Sequence, residues 1–222
     1  LAVWLLLFLL LMSNKNFAQT FCRPTGSSTS IGGVCLGTTG VTNATLAYDS
    51  SLSTYATITN SLGVGCFAEE TVTFNQTAKA GDQIVLYYGN GSAVISAGVL
   101  ANSTIQPFLS NVSAGNAVPL SGLVNLQLLD NGENINVVKY TLTSDANQIK
   151  IQTGGLVSLL INLRIYDVRL QFAKPTIANG ETQSVCFGQS VALSATAAVG
   201  TTVAWYDSPT AIAPLSNVGT YT

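Results

Sequence analysis

The sequence contains no histidine, and Asp, Glu, Lys and Arg together make up only 8% of its 222 residues, against about 25% in ordinary soluble proteins. Without histidine, the chain cannot form a Ser-His-Asp or Cys-His catalytic set or a histidine-ligated zinc site. Its 8 basic residues are outnumbered by 10 acidic ones, too few to neutralise a run of phosphates. We therefore expect no nucleic-acid binding.

The abundant residue types indicate which class of protein this is. Hydrophobic residues make up 47% of the chain and glycine occurs 20 times, while Ser, Thr, Asn and Gln supply most of the polarity. Low charge together with many apolar residues is the opposite of the composition of disordered chains. The composition is therefore typical of a folded, extracellular β-protein.

Residues 1–12 form an unbroken apolar run, LAVWLLLFLLLM. As a helix this run spans ~18 Å, less than the ~30 Å of a hydrocarbon core, but it matches the apolar region of a signal peptide that ends near Ala18. We expect residues 1–18 to be a signal peptide and the mature protein to be secreted, with no stable membrane span after the signal is cleaved. No initiator Met or basic segment precedes Leu1, so we expect a truncated start. A membrane anchor without its first half is the alternative.

Four cysteines in an exported chain suggest disulfide bonds. Cys22, Cys35 and Cys66 lie in the first two-fifths of the chain, and Cys186 stands near its end. Three clustered cysteines allow one bridge and one free thiol, and their spacing leaves the pairing open. A zinc site is the weaker alternative, because three cysteines without histidine or C-x-x-C spacing are a poor ligand set.

The clearest boundary in the sequence lies at residues 173–180, where Pro175 and Asn179-Gly180 are typical of a linker and a turn. Residues 21–172 then have the length of one ordinary domain. Residues 181–222 are too few for a complete second domain. We expect a domain over 21–172, a linker over 173–180 and a partial domain over 181–222.

Strand patterns dominate the predicted first domain. Gln83–Tyr88 is apolar on both faces, which predicts a buried central strand in which Tyr87 and Tyr88 point to opposite faces. Residues 126–129 and 135–143 flank the turn sequence Asp-Asn-Gly-Glu, which predicts a hairpin. In its second arm, alternation predicts that the core-facing residues are Val138, Tyr140 and Leu142.

The last strand region of this domain contains a phase shift. Apolar residues occupy odd positions from Ile161 to Ile165 but even positions from Val168 to Phe172. A strand of period two cannot change phase without turning its core face outward, so we expect a bulge at Tyr166-Asp167. No long amphipathic helix appears in the mature chain. The predicted fold class is all-β, with a jelly-roll or β-sandwich domain.

Two short polar sequences contain candidate ligand residues. In the loop DSSLSTYAT, Asp49 can accept hydrogen bonds from its own backbone and Thr54 can brace the same loop. We favour this structural role over direct contact with a ligand. Asp130, in the predicted hairpin turn, could supply oxygen ligands to Ca²⁺, but a turn explains it with fewer assumptions. We expect no cofactor apart from a candidate structural Ca²⁺.

The remaining candidates concern sugar binding and catalysis. Tyr48, Tyr55 and Tyr87 are the aromatic candidates for stacking on sugar rings, although most aromatic residues of a β-sandwich pack in its core. Glu69-Glu70 is an acidic pair, but glycoside hydrolysis needs two carboxylates at a defined separation. No sequence feature positions such a second carboxylate. We therefore expect no enzymatic activity.

The stretch Ala47–Ile58 resembles the A-x-D-x-x-x-x-T signature near the start of galactose-binding-like jelly rolls, which include discoidin-type domains and many carbohydrate-binding modules. The resemblance implies that Asp49 and Thr54 mostly brace a loop, sometimes beside a structural calcium, while the sugar is held elsewhere.

The wider pattern resembles secreted surface proteins of Bacteroidota-type bacteria. Three segments are similar to conserved strands and turns of their N-terminal jelly roll: Glu70–Phe74, Ala80–Asp82 and Ser158–Val168. Farther on, the segments around Cys186 and Trp205 resemble strands B and C of an immunoglobulin-like repeat. This resemblance implies that Trp205 packs against a disulfide of Cys186, whose partner would lie beyond Thr222. A free thiol is the other interpretation of Cys186.

These resemblances imply a non-catalytic, exported surface protein that adheres to or binds a glycan or a surface protein, with the immunoglobulin-like part as a spacer. Two alternatives remain open. The first domain could be the accessory binding module of a secreted hydrolase encoded beyond Thr222, or the whole chain could be a purely structural spacer. A shared fold does not by itself decide between these functions.

Overall fold

A computed structural model describes residues 21–91, 97–123, 135–155, 157–158, 161–178, 186, 189–197, 202–208, 211 and 213–221. Contacts divide this part of the chain into two compact units, Phe21–Phe172 and the described residues from Ala173 onward. The predicted turn residue Asp130 lies outside the described residues, as do residues 1–20.

The first unit is built from strands joined by short loops, two 3₁₀ turns (Ala44–Tyr48 and Leu120–Gly122) and one short helix, α1 (Ala97–Ala101). Its strands, in chain order, are β1 (Phe21–Cys22), β2 (Gly26–Cys35), β3 (Gly40–Thr42), β4 (Ala56–Asn60), β5 (Gly63–Ala78), β6 (Gln83–Gly89), β7 (Ser103–Leu109), β8 (Val112–Ser113), β9 (Val118–Pro119), β10 (Asn136–Thr141), β11 (Ala146–Gly154), β12 (Val157–Ser158) and β13 (Ile161–Gln171).

The strands form two antiparallel sheets. The first sheet has the order β10-β6-β13-β4-β3, with β1 paired to β13. The second has the order β12-β5-β11-β7-β8, with β2 paired to β5 and β9 paired to β7. Both sheets contribute to a single cluster of buried apolar side chains, because successive residues of a strand point to opposite faces and only one face of each sheet turns inward. The predicted all-β class and β-sandwich architecture are confirmed.

Three strand predictions are also confirmed. Strand β6 lies between β10 and β13, with Tyr88 in the core and Tyr87 on the other face, half-buried. In the predicted second hairpin arm, Val138, Tyr140 and Leu142 are buried, and the alternating residues Lys139, Thr141 and Thr143 are exposed. This arm pairs with β6; residues 126–129 of the first arm and the turn lie outside the described residues.

The predicted bulge is present in β13. Its register against β6 shifts between Ile165, opposite Tyr88, and Asp167, opposite Tyr87. Tyr166 is the extra residue, and both it and Asp167 are fully buried. The bulge lets the apolar residues on either side of it face the same core.

One pair among the three clustered cysteines is oxidised. Cys35 at the end of β2 is bonded to Cys66 in β5, with Cα atoms 5.1 Å apart. Cys22 and Cys186 are free thiols. The structure therefore decides the pairing that the spacing left open, and the bond ties together two neighbouring strands of the second sheet.

The second unit contains a three-stranded antiparallel sheet of β14 (Thr176–Ile177), β15 (Leu193–Thr196) and β16 (Thr220–Tyr221). Trp205 forms a bridge with Ser216, and its indole N–H donates to the carbonyl oxygen of Val218 at 2.8 Å. Cys186 is exposed. The immunoglobulin-like assignment and the core role of Trp205 stay predictions. Among the described residues, no helix is long and apolar enough to cross a membrane.

Candidate functional site

The bulge in β13 places two arginines on one face of the first sheet. Arg164 and Arg169 are five residues apart and would point to opposite faces of a regular strand. Because of the extra residue, they stand opposite Gly89 and Val85, four residues apart on β6 and therefore on the same side. That side faces away from the core. With the residues that contact these arginines it forms a surface that we call the arginine face: Phe21, Arg23, Tyr55, Tyr87, Arg164, Asp167 and Arg169.

The guanidinium of Arg169 lies over two aromatic rings. Its Cζ atom is 4.7 Å from the ring centre of Tyr87 and 4.8 Å from that of Phe21. Arg23 lies over the same Phe21 ring at 5.1 Å. Each contact is within the range of a cation–π interaction. Phe21 is 44% exposed, so it gives this cationic cluster an apolar edge in contact with water.

A buried carboxylate fixes the two guanidinium groups. Asp167 is fully buried and accepts hydrogen bonds from Nη2 of Arg23 at 3.2 Å and from Nε of Arg169 at 2.5 Å. Nε of Arg23 also donates to Asp167, at 3.3 Å. A buried carboxylate is tolerated when it is paired and hydrogen-bonded in this way. Only 26% of the Arg23 side chain and 20% of the Arg169 side chain is exposed, so both are held in place.

Arg164 is positioned by a second set of neighbours. Its Cζ atom lies 4.3 Å from the ring centre of Tyr55, and this ring meets the buried Tyr166 ring edge-on, with centres 5.4 Å apart. The backbone of Gly91 lies on the other side of the Arg164 guanidinium. Gly91 has a φ of +79°, and a Cβ there would lie 2.7 Å from Cζ of Arg164. Only glycine fits this position without displacing the guanidinium.

The loop that precedes Tyr55 is folded around Asp49. One carboxylate oxygen of Asp49 accepts the backbone N–H of Ser51 at 2.9 Å, and the other accepts the hydroxyl of Thr54 at 2.6 Å. This turn places Tyr55 immediately before β4. Any role of Asp49 and Thr54 with calcium or a ligand stays a prediction.

The predicted stacking tyrosines do not form one group. Tyr55 and Tyr87 belong to the arginine face, where an arginine lies over each ring. Tyr48 instead packs against the core, with its hydroxyl 3.5 Å from Oγ of Ser27. A sugar could therefore stack on Tyr55 or Tyr87 only on a side that no guanidinium covers.

The acidic pair Glu69-Glu70 is divided between two faces of β5. Glu69 forms an ion pair with Lys150, at 3.2 Å, whereas Glu70 is fully buried on the core side. Neither Glu70 oxygen has a hydrogen-bond partner within ordinary distance. Burial raises the pKa of Glu70 to about 7, an effect that nearby Ser27 partly offsets. The two carboxylates face opposite ways and cannot act on one bond.

A groove of about 420 Å³ lies elsewhere on the described part of the chain. It lies between β2 and β3, the edge strands of the two sheets, and most of its lining residues carry hydroxyl groups: Thr29, Ser30, Ile31, Thr38, Thr39, Gly40, Val41, Thr42 and Thr59. No group of three or more Cys, Asp or Glu residues capable of holding a metal occurs in the described ranges.

The arginines were missed as site residues from the sequence, although the feature that unites two of them was visible there. The phase shift at Tyr166-Asp167 implies that residues on opposite sides of it, five apart, share a face. Arg164 and Arg169 fulfil that condition. Arg23 could not be found in this way, because its contact with Asp167 joins residues 144 positions apart.

No family model and no curated protein matches the chain. Among solved structures, the family 32 carbohydrate-binding module of AlyQ, in complex with 4,5-unsaturated mannuronic acid, is 16% identical, with a TM-score of 0.41 over 68% of this chain and 97% of that one. Chitosan-binding module 1 from the chitosanase/glucanase of Paenibacillus sp. IK-5 is 14% identical, with a TM-score of 0.37 over 67% and 95%. The family 32 module of Clostridium perfringens NanJ, in complex with galactose, is 15% identical, with a TM-score of 0.34 over 65% and 93%.

Proposed function

We propose that the unit Phe21–Phe172 is a non-catalytic carbohydrate-binding module that holds its glycan on the arginine face. The observation that carries this proposal is the position of Arg23, Arg164 and Arg169, each against an aromatic ring on one side of the first sheet. A stacked guanidinium keeps N–H donors at its edge for sugar oxygens. The exposed ring of Phe21 supplies the apolar contact that the C–H groups of a sugar require.

Rigidity supports the same proposal. Asp167 holds Arg23 and Arg169, and Gly91 with Tyr55 holds Arg164. Long arginine side chains lose rotamer freedom when they bind a ligand, which costs about 0.5–1.5 kcal/mol per side chain. In the folded protein the guanidinium groups have already lost much of this rotamer freedom, so their N–H donors are held in place before a ligand binds.

We also propose the domain order of the chain and the compartment in which the module acts. We propose that residues 1–18 direct export, that residues 21–172 form a galactose-binding-like jelly roll, and that residues 181–222, after a linker at 173–180, begin an immunoglobulin-like spacer at a bacterial cell surface. Binding a glycan there would serve adhesion. The Cys35–Cys66 bond supports an oxidising compartment, and the apolar run at residues 1–12 supports export.

A glycan array probed with the full chain tests this function. We expect at least one class of glycan to bind, and we expect Arg169→Gln to reduce the signal strongly. Lys150→Gln is the matched control, because Lys150 also lies over an aromatic ring, at 4.7 Å from the centre of Phe108, and pairs with an acid, but on the second sheet. Absence of binding to any glycan, or equal effects of the two substitutions, would reject the proposed site.

A further inference from the structure

We infer that the glycan bound by the arginine face is a negatively charged polysaccharide, whose carboxylate or sulfate groups are held by Arg169, Arg23 and Arg164. This inference rests on the proposed function and specifies its ligand class. It follows from the supply of hydrogen-bond donors on this face, from its charge and from the spacing of its arginines.

Donors exceed acceptors in the Arg23–Asp167–Arg169 cluster. A guanidinium has five N–H donors. Arg169 uses Nε on Asp167 and one Nη1 hydrogen on the hydroxyl of Tyr87, at 3.5 Å, and Arg23 uses Nε and Nη2 on Asp167. Within the described chain, Nη2 of Arg169 and Nη1 of Arg23 make no hydrogen bond. These donors can bind a ligand in place of water, and anionic oxygens are the strongest acceptors for a guanidinium.

The charge on this cluster is opposite to that of the whole chain. The formal net charge of the protein is −2, whereas the cluster holds two guanidinium groups and one carboxylate, a net charge of +1. Asp167 is fully buried, so a ligand at the surface meets the cations rather than the carboxylate. Arg164, the remaining arginine of the chain, lies on the same face. A carboxylate or sulfate on a sugar would be attracted here and accept paired N–H bonds from one guanidinium.

The spacing of the arginines favours a polymer over a single sugar. Arg164 and Arg169 stand opposite residues four apart on β6, which corresponds to ~13 Å along the strand. One sugar acid cannot contact both. A polysaccharide with charged groups at intervals can do so, and each additional contact then forms at a high effective concentration.

The test measures the affinity of the full chain for three soluble polymers: polygalacturonate, which carries carboxylates, dextran sulfate, which carries sulfates, and uncharged dextran. We expect one or both charged polymers to bind, with affinity falling as salt is added, and dextran to bind at least about tenfold more weakly, a ratio that corresponds to one charge-assisted hydrogen bond. The preferred polymer identifies the anionic group.

Variants then locate the binding. We expect Arg169→Gln to reduce affinity for the charged polymer at least about tenfold, and Lys150→Gln, which removes the same charge from the second sheet, to change it by less than about twofold. Arg169→Lys keeps a positive charge beside Asp167 but replaces the planar guanidinium, with its several N–H donors, by a single ammonium group. It therefore tests how much those donors contribute to binding in a folded protein. We expect it to bind clearly more weakly than the unchanged chain, and thermal unfolding monitors its fold.

The outcomes separate this inference from the proposed function. If dextran binds as tightly as the charged polymers and Arg169→Gln weakens its binding, the face binds glycans but the inferred ligand class is wrong. If Arg169→Gln and Lys150→Gln weaken polyanion binding equally, attraction is non-specific and the inference is overturned. Equal binding of single-stranded DNA would also overturn it, because the face would then recognise charge without the sugar. If no glycan binds at all, the proposed function itself fails.

Discussion

Arg169 and Asp167 lie side by side on the same face of β13, with Nε of Arg169 2.5 Å from a carboxylate oxygen of Asp167. The same carboxylate accepts hydrogen bonds from Arg23, which lies 144 positions earlier in the chain. The arginine face therefore depends on a buried acid for its geometry, and the stability of the domain and the order of its site are linked through Asp167.

We predict that Asp167→Asn destabilises the protein by about 2 kcal/mol, because it removes the charge that pairs with two partly buried guanidinium groups. Urea unfolding measures this change. The matched control is Asp145→Asn, which breaks the Lys79–Asp145 pair, whose side chains are 32% and 42% exposed. An exposed pair contributes about 0–1 kcal/mol. Equal losses in the two variants would contradict the structural role assigned to Asp167.

Gly91→Ala should weaken glycan binding, because the new Cβ would displace the guanidinium of Arg164. Gly81→Ala is the control that separates this displacement from backbone strain: Gly81 also has a positive φ, +96°, but a Cβ there meets nothing within 4 Å. Both variants should lose stability by about 1 kcal/mol. Only Gly91→Ala should change the affinity for the glycan. Unchanged affinity in this variant would show that Arg164 takes no part in binding.

The buried carboxyl of Glu70 predicts a pH dependence of stability. Its pKa rises from 4.5 to about 7 on folding, so the folded state retains a proton that the unfolded state loses. Stability should be highest below about pH 4.5 with respect to this group, fall between about pH 4.5 and pH 7, and then level off, a total change of about 3 kcal/mol.

Urea unfolding at a series of pH values measures that profile. Glu70→Gln should abolish this component and stabilise the protein above pH 7, because it removes a buried charge. Glu69→Gln is the neighbouring control; its carboxylate points to the other face and pairs with Lys150. If the decline between these pH values survives in Glu70→Gln, the buried carboxyl is not its source.

Reduction of the Cys35–Cys66 bond should lower the free energy of unfolding by about 3–4 kcal/mol, the loop-closure entropy for residues separated by 31 positions. Unfolding with and without reductant measures the loss, and Cys35→Ser/Cys66→Ser should reproduce it. Cys22→Ser should have little effect because Cys22 is a free thiol. A reductant effect that persists in the double variant would place the responsible bond elsewhere.

Features set by local periodicity could be predicted from the sequence. The central position of Gln83–Gly89, the alternation from Val138 to Leu142 and the bulge at Tyr166 all follow from the period-two pattern and its interruption. The bulge is visible because a change of phase is the one local signal that a strand has gained a residue.

Features that depend on pairing between distant strands could not be predicted. The cysteine spacing carried no information on which two of Cys22, Cys35 and Cys66 are bonded, because connectivity is set by the pairing of β2 with β5. The contact of Arg169 with Tyr87 requires β13 to lie beside β6, an order that no local pattern specifies. Tyr55 and Tyr87 were proposed from the sequence as stacking candidates, which stays a prediction, but the arginines that lie over them were not proposed.

The most direct test of the account observes the arginines themselves. The chain has only three, Arg23, Arg164 and Arg169, so the side-chain Nε–H groups of ¹⁵N-labelled protein give three assignable signals. We predict that adding a charged oligosaccharide, an oligogalacturonate or a sulfated dextran fragment, shifts the signals of Arg169 and Arg164, while uncharged dextran fragments leave them in place. The account is contradicted if the charged oligosaccharide binds and shifts backbone amides elsewhere, such as those lining the groove between β2 and β3, while all three arginine signals stay unchanged.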